Sequence, residues 1–599
     1  MQGGFGMPRV AVIELDYCQP SKCGTPCISY CPPVRNKIEA IKMGENGFPT
    51  INEELCIGCG ICVIKCPFKA ISIVNVASEI GEDLIHQYGI NSFRLYRLPY
   101  AEPGTVAGLI GRNGIGKSTA LSILAGQTRP NLGKLEGEVS LSDVARKFRG
   151  TLIQEYFNKL EAGSIKISYK PQNIMLIPKV VKGSVRELLS RAAGGKPIDE
   201  VVEQLELSHL LDREVASLSG GELQRLAIAA AILRGADCCI FDEPSSFLDV
   251  RQRMKAASAI RSLTETGARV FVAEHDLSFL DYVSDTVFIL FGEPGVYGVV
   301  SGPYGVSEGV NTYLEGYTPL DNTRFRDYKI VFSPHSPQES AETAGPSLYW
   351  PEMKKSYGAF RLHVESGFVM LGEVLGIVGP NGIGKSTFIK LLAGIESDDD
   401  GNRLEYRSVS YKPQHPEPRD QIVEDALREA AGEEYGTELY VSEILRPLGL
   451  ERLLDRNMME LSGGELQRVV VAEALSRKAE VYLLDEPSAF LDVEERYAVA
   501  RLLKRLARDR GAYIFLVEHD LMLIDFAATR LLVFTGRPGL EGRALQPMSL
   551  RDGFNRFLSE LGVTFRRDRR SNRPRVNKPG SKTDKMQRER GDYYYVEAA

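Results

Sequence analysis

The chain of 599 residues has no run of eighteen or more apolar residues, so no single helix of it can span a bilayer. Its opening stretch, MQGGFGMPRVAVIELDYC, lacks a basic segment followed by a long apolar one, and no secretion signal is visible. No excess of positive charge announces nucleic acid, because the net charge is −6. Cysteine is scarce, at ten, and histidine scarcer, at seven. These absences lead to the expectation of a cytoplasmic protein without membrane contact, in which clustered thiols bind metal and do not pair as disulfides. What is present is ordinary globular composition, 43% hydrophobic and 25% charged, with length for about three or four domains. Met7 is a candidate native start, since the first strand-like stretch, Arg9 to Leu15, begins only after it.

Eight of the ten cysteines fall between residues 18 and 66. Cys56, Cys59, Cys62 and Cys66, followed by Pro67, have the C-x2-C-x2-C-x3-C-P spacing of two-cluster ferredoxins. Cys18, Cys23, Cys27 and Cys31, followed by Pro32, are looser but end the same way. Three closely spaced thiolates can reach three irons of one cube, while the fourth, turned away by proline, reaches the neighbouring cube. One [4Fe–4S] cluster is therefore expected on Cys18, Cys23, Cys27 and Cys66, and a second on Cys56, Cys59, Cys62 and Cys31. Zinc, the alternative, favours two separated C-x2-C pairs. Cys238 and Cys239 sit in an apolar run and read as core.

The remainder is duplicated. GRNGIGKST at 111–119 returns as GPNGIGKST at 379–387, YKPQ at 169–172 as the same four residues at 411–414, and LSGGELQR at 218–225 again at 461–468. FDEPSSFLD at 241–249 matches LDEPSAFLD at 484–492, and AEHDL at 273–277 matches VEHDL at 517–521. The intervals agree: Ser219 to Asp242 and Ser462 to Asp485 are both 23 residues. One interval differs. Lys117 to Gln172 is 55 residues and Lys385 to Gln414 is 29, so the first copy carries an insertion containing SDVARKFRGTLIQEYFNKL (142–160), of helical and partly basic character.

Each motif has a physical task. The glycine-rich loops present backbone N–H groups to phosphates at a helix N-terminus, through Gly111, Asn113, Gly114, Gly116 and Thr119 in one copy and Gly379, Asn381, Gly382, Gly384 and Thr387 in the other. Lys117 and Lys385 would reach the β- and γ-phosphates, and Ser118 and Ser386 would ligate Mg²⁺. Asp242 and Asp485 end apolar strands, where a carboxylate holds the Mg²⁺ shell. Glu243 and Glu486 follow, placed to polarise an attacking water.

These residues resemble those of the ATP-binding-cassette (ABC) superfamily over roughly residues 78–535. The resemblance implies that Gln172 and Gln414 are Q-loop residues, Asp249 and Asp492 D-loop residues, and His275 and His519 switch histidines facing the γ-phosphate. It also implies adenine-stacking aromatics about 25 residues before each lysine, where Phe93 and Phe360 stand, with Tyr88 and Tyr357 nearby. Cassettes of this superfamily face one another, and the SGGE segment of one caps the nucleotide of the other. Ser462, Gly464 and Glu465 would then complete a site with Lys117 and Glu243, and Ser219, Gly221 and Glu222 one with Lys385 and Glu486. Neither glutamate is replaced, so both sites are expected to hydrolyse ATP.

After each cassette comes a segment with G-x-P-G-x-x-G and a short helix-like piece, at 292–326 and 536–568. Both are read as hinges. Residues 566–590 hold eleven Lys or Arg against three acids, which reads as a solvated tail able to meet a phosphate backbone. The expected order is α/β multidomain: a ferredoxin-like α+β domain with two clusters (1–77), a first cassette (78–291, insertion about 142–160), hinge 1 (292–326), a second cassette (327–535), then hinge 2 and the basic tail (536–599).

Taken together, the ferredoxin spacing, the insertion, the paired LSGGELQR and the tail VTFRRD…RPRVNK…GSKTDK…RERGDYYY resemble ABC subfamily E, the ribosome-recycling ATPases of the RNase L inhibitor family. That resemblance implies an ATPase that splits ribosomes into subunits after termination or stalling, with a release factor or Pelota-like rescue factor. It further implies a continuing role on the small subunit and its RNA during initiation, with initiation factors as possible partners. The chain would be a monomer pairing its own cassettes, and an archaeal source is expected. Three other readings stand beside it. A UvrA-type DNA-repair ATPase would bind zinc inside its cassettes, an ATP-driven redox protein would need a further electron site, and a translation factor of another ABC subfamily would not split subunits.

Overall fold

The computed structural model describes residues 9–76, 78–332 and 347–594. Met7 and the expected domain boundary at 77 lie outside them. The N-terminal unit pairs strand Arg9–Ile13 antiparallel with Ile71–Asn75. Between them run four short helices, Pro20–Cys23, Pro26–Ser29, Pro32–Arg35 and Ile61–Lys65. Three begin with proline, whose fixed φ and missing N–H suit the first helical position. The core of this unit is small: Ala11, Ile13, Ile41, Ile51 and Ile71 pack with Cys27, Cys31, Cys56 and Cys62.

Each cassette is built on a large mixed sheet. In the first, strands run in the order Leu84–Gln87, Arg94–Tyr96, Tyr297–Gly305, Thr286–Glu293, Val106–Ile110, Arg269–Ala273, Cys238–Asp242 and Ile167–Lys170. The last five of these neighbours are parallel; the central three are buried on both faces and largely apolar, while the edge strand Ile167–Lys170 buries only alternate residues. Cys238 and Cys239 are fully buried there, as expected of core residues. The second cassette repeats the order with Met353–Tyr357, Phe360–Val364, Glu541–Ala544, Arg530–Arg537, Val374–Val378, Tyr513–Val517, Val481–Asp485 and Val409–Lys412. The insertion of the first cassette folds as two helices, Leu141–Lys147 and Leu152–Glu161, capped by Ser140 and Thr151.

Two expectations change here. The segment at 292–326 does not begin as a linker: Tyr297–Gly305 is a sheet strand, antiparallel to Thr286–Glu293 and parallel to Arg94–Tyr96. Glu541–Ala544 plays the same part in the second cassette. The G-x-P-G-x-x-G turn is thus a hairpin within each sheet. The helix-like pieces that follow are helices, Val306–Glu315 and Leu550–Leu561.

The basic C-terminal run is not a solvated tail. Phe565–Arg567 and Pro574–Val576 form a hairpin and Lys582–Arg590 a helix. Arg573 is fully buried against Asp281, and Arg567 pairs with Asp525 at 2.7 Å through both oxygens. Asp568 accepts from Ser307 at 2.8 Å and Asn311 at 2.9 Å, both on the helix that follows the first hairpin. A count of charges along the chain could not show that acids from both cassettes wait for these arginines.

Candidate functional site: two composite nucleotide sites and a thiol-rich domain

Each glycine-rich loop leads from a buried strand into a helix, Lys117–Leu124 or Lys385–Leu392. Gly116 and Gly384 have φ of 101° and 104°, a conformation that L side chains rarely adopt. The lysines fold back on their loops: Lys117 Nζ donates to the carbonyls of Gly111 and Arg112, both at 2.9 Å. Lys385 Nζ does the same to Gly379 and Pro380, at 2.9 and 2.8 Å. Burial lowers both lysine pKa values, with nearby carboxylates opposing.

At the sheet ends, Asp242 and Asp485 are 1% exposed. Burial raises both carboxyls above their ordinary value, and the Ser118 and Ser386 hydroxyls pull the other way. Neither oxygen of Asp485 and only one of Asp242 has a hydrogen-bond partner among the described residues. A buried carboxylate beside a serine hydroxyl, with oxygens left unpaired, fits a divalent cation. Glu243 and Glu486 are approached from two sides. Gln172 and Gln414 donate to their Oε1 atoms at 2.8 Å. His275 and His519 stand 3.5 and 3.2 Å from the same oxygens. Burial would raise these glutamates, but the adjacent histidine and the lysine charges overcome it and hold both carboxyls down at about 2.

Four residues that the motifs did not single out complete this arrangement. Lys170 and Lys412 are buried and donate to the carbonyls of Asp242 and Glu243 (2.7 and 3.0 Å), and of Asp485 and Glu486 (2.9 and 3.0 Å). Burial lowers their pKa to about 8. Glu274 accepts from the amides of Ser245 and His275, both at 2.9 Å, and Glu518 from those of Ser488 at 2.8 Å and His519 at 3.2 Å. The only signal in the sequence was that YKPQ and EHDL recur with these residues in place.

The cassettes meet face to face. Asp492 accepts from the Asn113 amide at 3.0 Å, and Asp249 from the Asn381 amide at 3.0 Å. Phe247 and Phe490 pack edge to face across the contact, 5.6 Å apart. Between the cassettes lies a cavity of about 540 Å³ whose walls include Ser219, Gly221, Glu222, Asn381, Gly382, Gln414, Glu486 and His519. Ser219 and Ser462 are the N-caps of helices Gly220–Leu233 and Gly463–Ser476, each in a capping box with Glu222 or Glu465. A Cβ at Gly221 would come 3.0 Å from the Phe247 carbonyl, so glycine lets the signature helix start against the D-loop. Gly464 has the looser equivalent, 3.4 Å from Phe490 O.

Of the aromatics, Phe93 and Phe360 lie against the loops, where a Cβ on Gly116 would come 2.7 Å from Phe93 Cζ and one on Gly384 would come 3.2 Å from Phe360 Cζ. Tyr88 is exposed, with its hydroxyl 3.1 Å from Thr119 Oγ1. Tyr357 is exposed, with Lys355 over its ring.

All ten cysteines are free thiols. Burial raises Cys18 to about 11, and Cys66, Cys27 and Cys23 add to the rise. Burial raises Cys62 to about 12, with Cys56, Cys59 and Cys31 contributing. The fold thus brings Cys66 to the first thiol group and Cys31 to the second. Among the described residues no three Cys, His, Asp or Glu converge as ligands of one metal ion. A cubane, whose irons stand apart, does not require its sulfurs to converge on one point. Two sets of four thiols fit such clusters, and metal binding would reverse the pKa rise by favouring thiolate.

The comparisons agree with this geometry. The ABC transporter family matches residues 100–246 and 365–489, the 4Fe-4S binding domain residues 49–72, and the possible Fer4-like domain in RNase L inhibitor residues 8–39. An uncharacterized ABC transporter ATP-binding protein of Methanocaldococcus jannaschii is 50% identical, over 99% of this chain and 98% of its own. Translation initiation factor RLI1 of Saccharomyces cerevisiae is 42% identical over 98% of each. A solved structure described as a model of ribosome-bound archaeal Pelota and ABCE1 aligns with a TM-score of 0.91 at 50% identity, covering 98% of this chain and 99% of that one. Another, the complex of archaeal ribosomal stalk protein aP1 with archaeal ribosome recycling factor aABCE1, aligns at 0.83 and 50%, covering 87% and 100%.

The fold and site define an ABC-type ATPase with two cassettes in one chain and an N-terminal 4Fe-4S domain. The chain belongs to ABC subfamily E, the RNase L inhibitor family. That membership sets aside the UvrA-type reading. No described helix is long and apolar enough to cross a membrane.

Proposed function

We propose that this protein is a cytoplasmic ribosome-recycling ATPase. It would split ribosomes into subunits with a release factor or Pelota-like rescue factor, and stay with the small subunit into initiation. The carrying observation is the reciprocal bond between each D-loop aspartate and the opposite phosphate loop, Asp492 to Asn113 and Asp249 to Asn381. Each nucleotide would therefore be held by both cassettes, so γ-phosphate binding and loss would close and release the two halves. The ribosome would be the load on which that motion acts, a reading supported by relatives described as ribosome recycling and translation initiation factors.

In each site the phosphate loop would cradle the β- and γ-phosphates, with Lys117 or Lys385 released from its loop carbonyls to meet them. Mg²⁺ would be held by Ser118 and Asp242, or Ser386 and Asp485, and would supply charge neutralisation. Glu243 and Glu486, ionised at neutral pH, would orient the attacking water, and His275 and His519 would face the γ-phosphate. Phe93 and Phe360 would border the adenine. Two [4Fe–4S] clusters would be held by Cys18, Cys23, Cys27 and Cys66, and by Cys56, Cys59, Cys62 and Cys31, stiffening their domain as an arm. For the domain division, sheet pairing supports a first cassette that runs through Gly305 and a second whose sheet includes 541–544.

Sucrose-gradient sedimentation tests the reading. Purified protein, ATP and a stalled ribosome with rescue factor should yield free subunits. Ribosomes that stay intact while ATP is hydrolysed would refute it. Iron and sulfide analysis decides the cluster assignment, and a protein purified with zinc alone would overturn it.

A further inference from the structure

The two composite sites differ at one carboxylate. In the first signature, Glu222 Oε2 accepts from Ser219 N and Oγ at 2.7 and 2.8 Å, while its Oε1 accepts from Arg213 at 3.1 Å. In the second, Glu465 Oε2 holds Ser462 N and Oγ at 2.8 and 2.7 Å. Its Oε1, however, accepts from the hydroxyl of Tyr17, at 2.9 Å. Arg456, the counterpart of Arg213, stands back at 3.7 Å from that oxygen and lies over the Tyr17 ring, 5.2 Å from its centre. Tyr17 belongs to the iron–sulfur domain and directly precedes Cys18.

A second contact reinforces the first. Glu14 meets Arg452 at 3.1 Å, and the amides of Tyr17 and Cys18 both bond the Glu14 carbonyl, so a single turn presents both side chains to the second cassette. On its other side the same domain is fixed to the first cassette. Arg94 grips Glu53 at 2.9 and 2.8 Å, and Asn91 donates to the carbonyls of Ala11 and Ile51 at 3.1 and 3.0 Å. The iron–sulfur domain therefore spans the cassette of Lys117 and the signature of Ser462, the two halves of one site. Among the described residues it makes no side-chain hydrogen bond to Ser219 or Glu222.

We propose that Tyr17 is a positioning residue for one ATP site only, tying the place of the iron–sulfur domain to Ser462 through the carboxylate of Glu465. This rests on the composite-site reading above. A capping-box glutamate with both oxygens engaged holds its serine in one geometry. With the phenol gone, Glu465 Oε1 keeps only Arg456, at 3.7 Å, so Ser462 is held less firmly and the signature no longer follows the domain. The link makes the two sites inequivalent, although their motifs are nearly identical.

The test is Tyr17→Phe, which keeps the ring under Arg456, made in Glu486→Gln protein, where the Lys117 site alone turns over, and in Glu243→Gln protein, where the Lys385 site does. The KM for ATP should rise about threefold or more in the first background and change by less than about 1.5-fold in the second, with kcat little altered. Hydrogen exchange should quicken at the amides of residues 463–467 and stay unchanged at 220–224. Equal effects in both backgrounds, or unchanged exchange at 463–467, would overturn the proposal. Should the parent glutamine variants keep full turnover, the composite-site reading fails, and the exchange measurement still decides the role of Tyr17. If Tyr17→Phe loses visible cluster absorbance, Arg452→Gln weakens the same junction from the cassette side. It should reproduce the one-sided exchange, and symmetric or absent exchange would again refute the link.

Discussion

Glu243 and Glu486 have φ of 48° and 47°, left-handed values that cost a non-glycine residue about 1–3 kcal/mol. Something must hold them there, and the buried lysines do. Lys170 and Lys412 each tie the carbonyl of the strained glutamate to that of the aspartate before it. Replacing Lys170 with Met should destabilise the first cassette by about 2–3 kcal/mol, the loss of two charge-assisted hydrogen bonds, and slow turnover at the site of Glu243. Calorimetry with single-site ATPase assays measures both, and unchanged stability would remove the lysine from this task. The glutamates also carry a pH signature. Folded, their carboxyls titrate at about 2, whereas the ordinary value is 4.5. Their stabilisation is thus present above pH 4.5 and lost as pH falls toward 2. In Glu243→Gln the acid limb of Tm against pH should be shallower than in the parent, and an identical limb would contradict the shift. The motif spacing disclosed Glu243 and Glu486 because their neighbours repeat. It did not disclose Lys170, since a lysine in a short polar motif reads as exposed until a sheet is packed over it.

The tail hairpin shows at the level of elements what patterning misses. Asp281 and Asp525 lie six residues after His275 and His519, on helices Leu277–Val283 and Leu521–Ala527. Both are 1–2% exposed, and in an isolated cassette they would be buried acids without the arginines they meet here. Arg567, at the end of one strand, and Arg573, in the turn just before the other strand of the same hairpin, supply those arginines, so a single element ties these helices of both cassettes. The duplicated motifs made the cassettes legible, and continuous apolar runs located the strands that end in Asp242 and Asp485. The partners of the tail come from segments about 40 to 290 residues away, a separation that no local pattern records. Arg573→Ala would leave Asp281 buried with only Arg575 nearby, at 3.3 Å, and should cost about 3–5 kcal/mol. Arg573→Met combined with Asp281→Asn removes both charges and should recover part of that loss. A double variant as unstable as the single one, by thermal unfolding, would show that the ion pair is not the reason.

At the scale of the molecule, two large bodies with extensive apolar cores carry a third that has hardly any. The buried core of the iron–sulfur domain joins six aliphatic residues to four cysteines, against the long strands and helices of each cassette. A body of that size without metal falls short of what hydrophobic burial alone holds together, and structural metal then supplies folding free energy directly. The cassettes owe nothing to the thiols: each large sheet is built from its own cassette's strands, and their mutual bonds run through Asp249, Asp492 and the tail. Removing iron by chelation under reducing conditions should therefore loosen one body and spare two. Limited proteolysis should cut within residues 9–76 of the metal-free protein at rates at least about tenfold above the holoprotein, while fragments beginning after residue 78 persist and still bind ATP. The junctions at Glu53–Arg94 and Tyr17–Glu465 should loosen with the domain, seen as faster exchange at the start of the second signature helix but not the first. Cassettes that unfold together with the N-terminal unit would mean that the clusters stabilise the whole chain and not an arm attached to it.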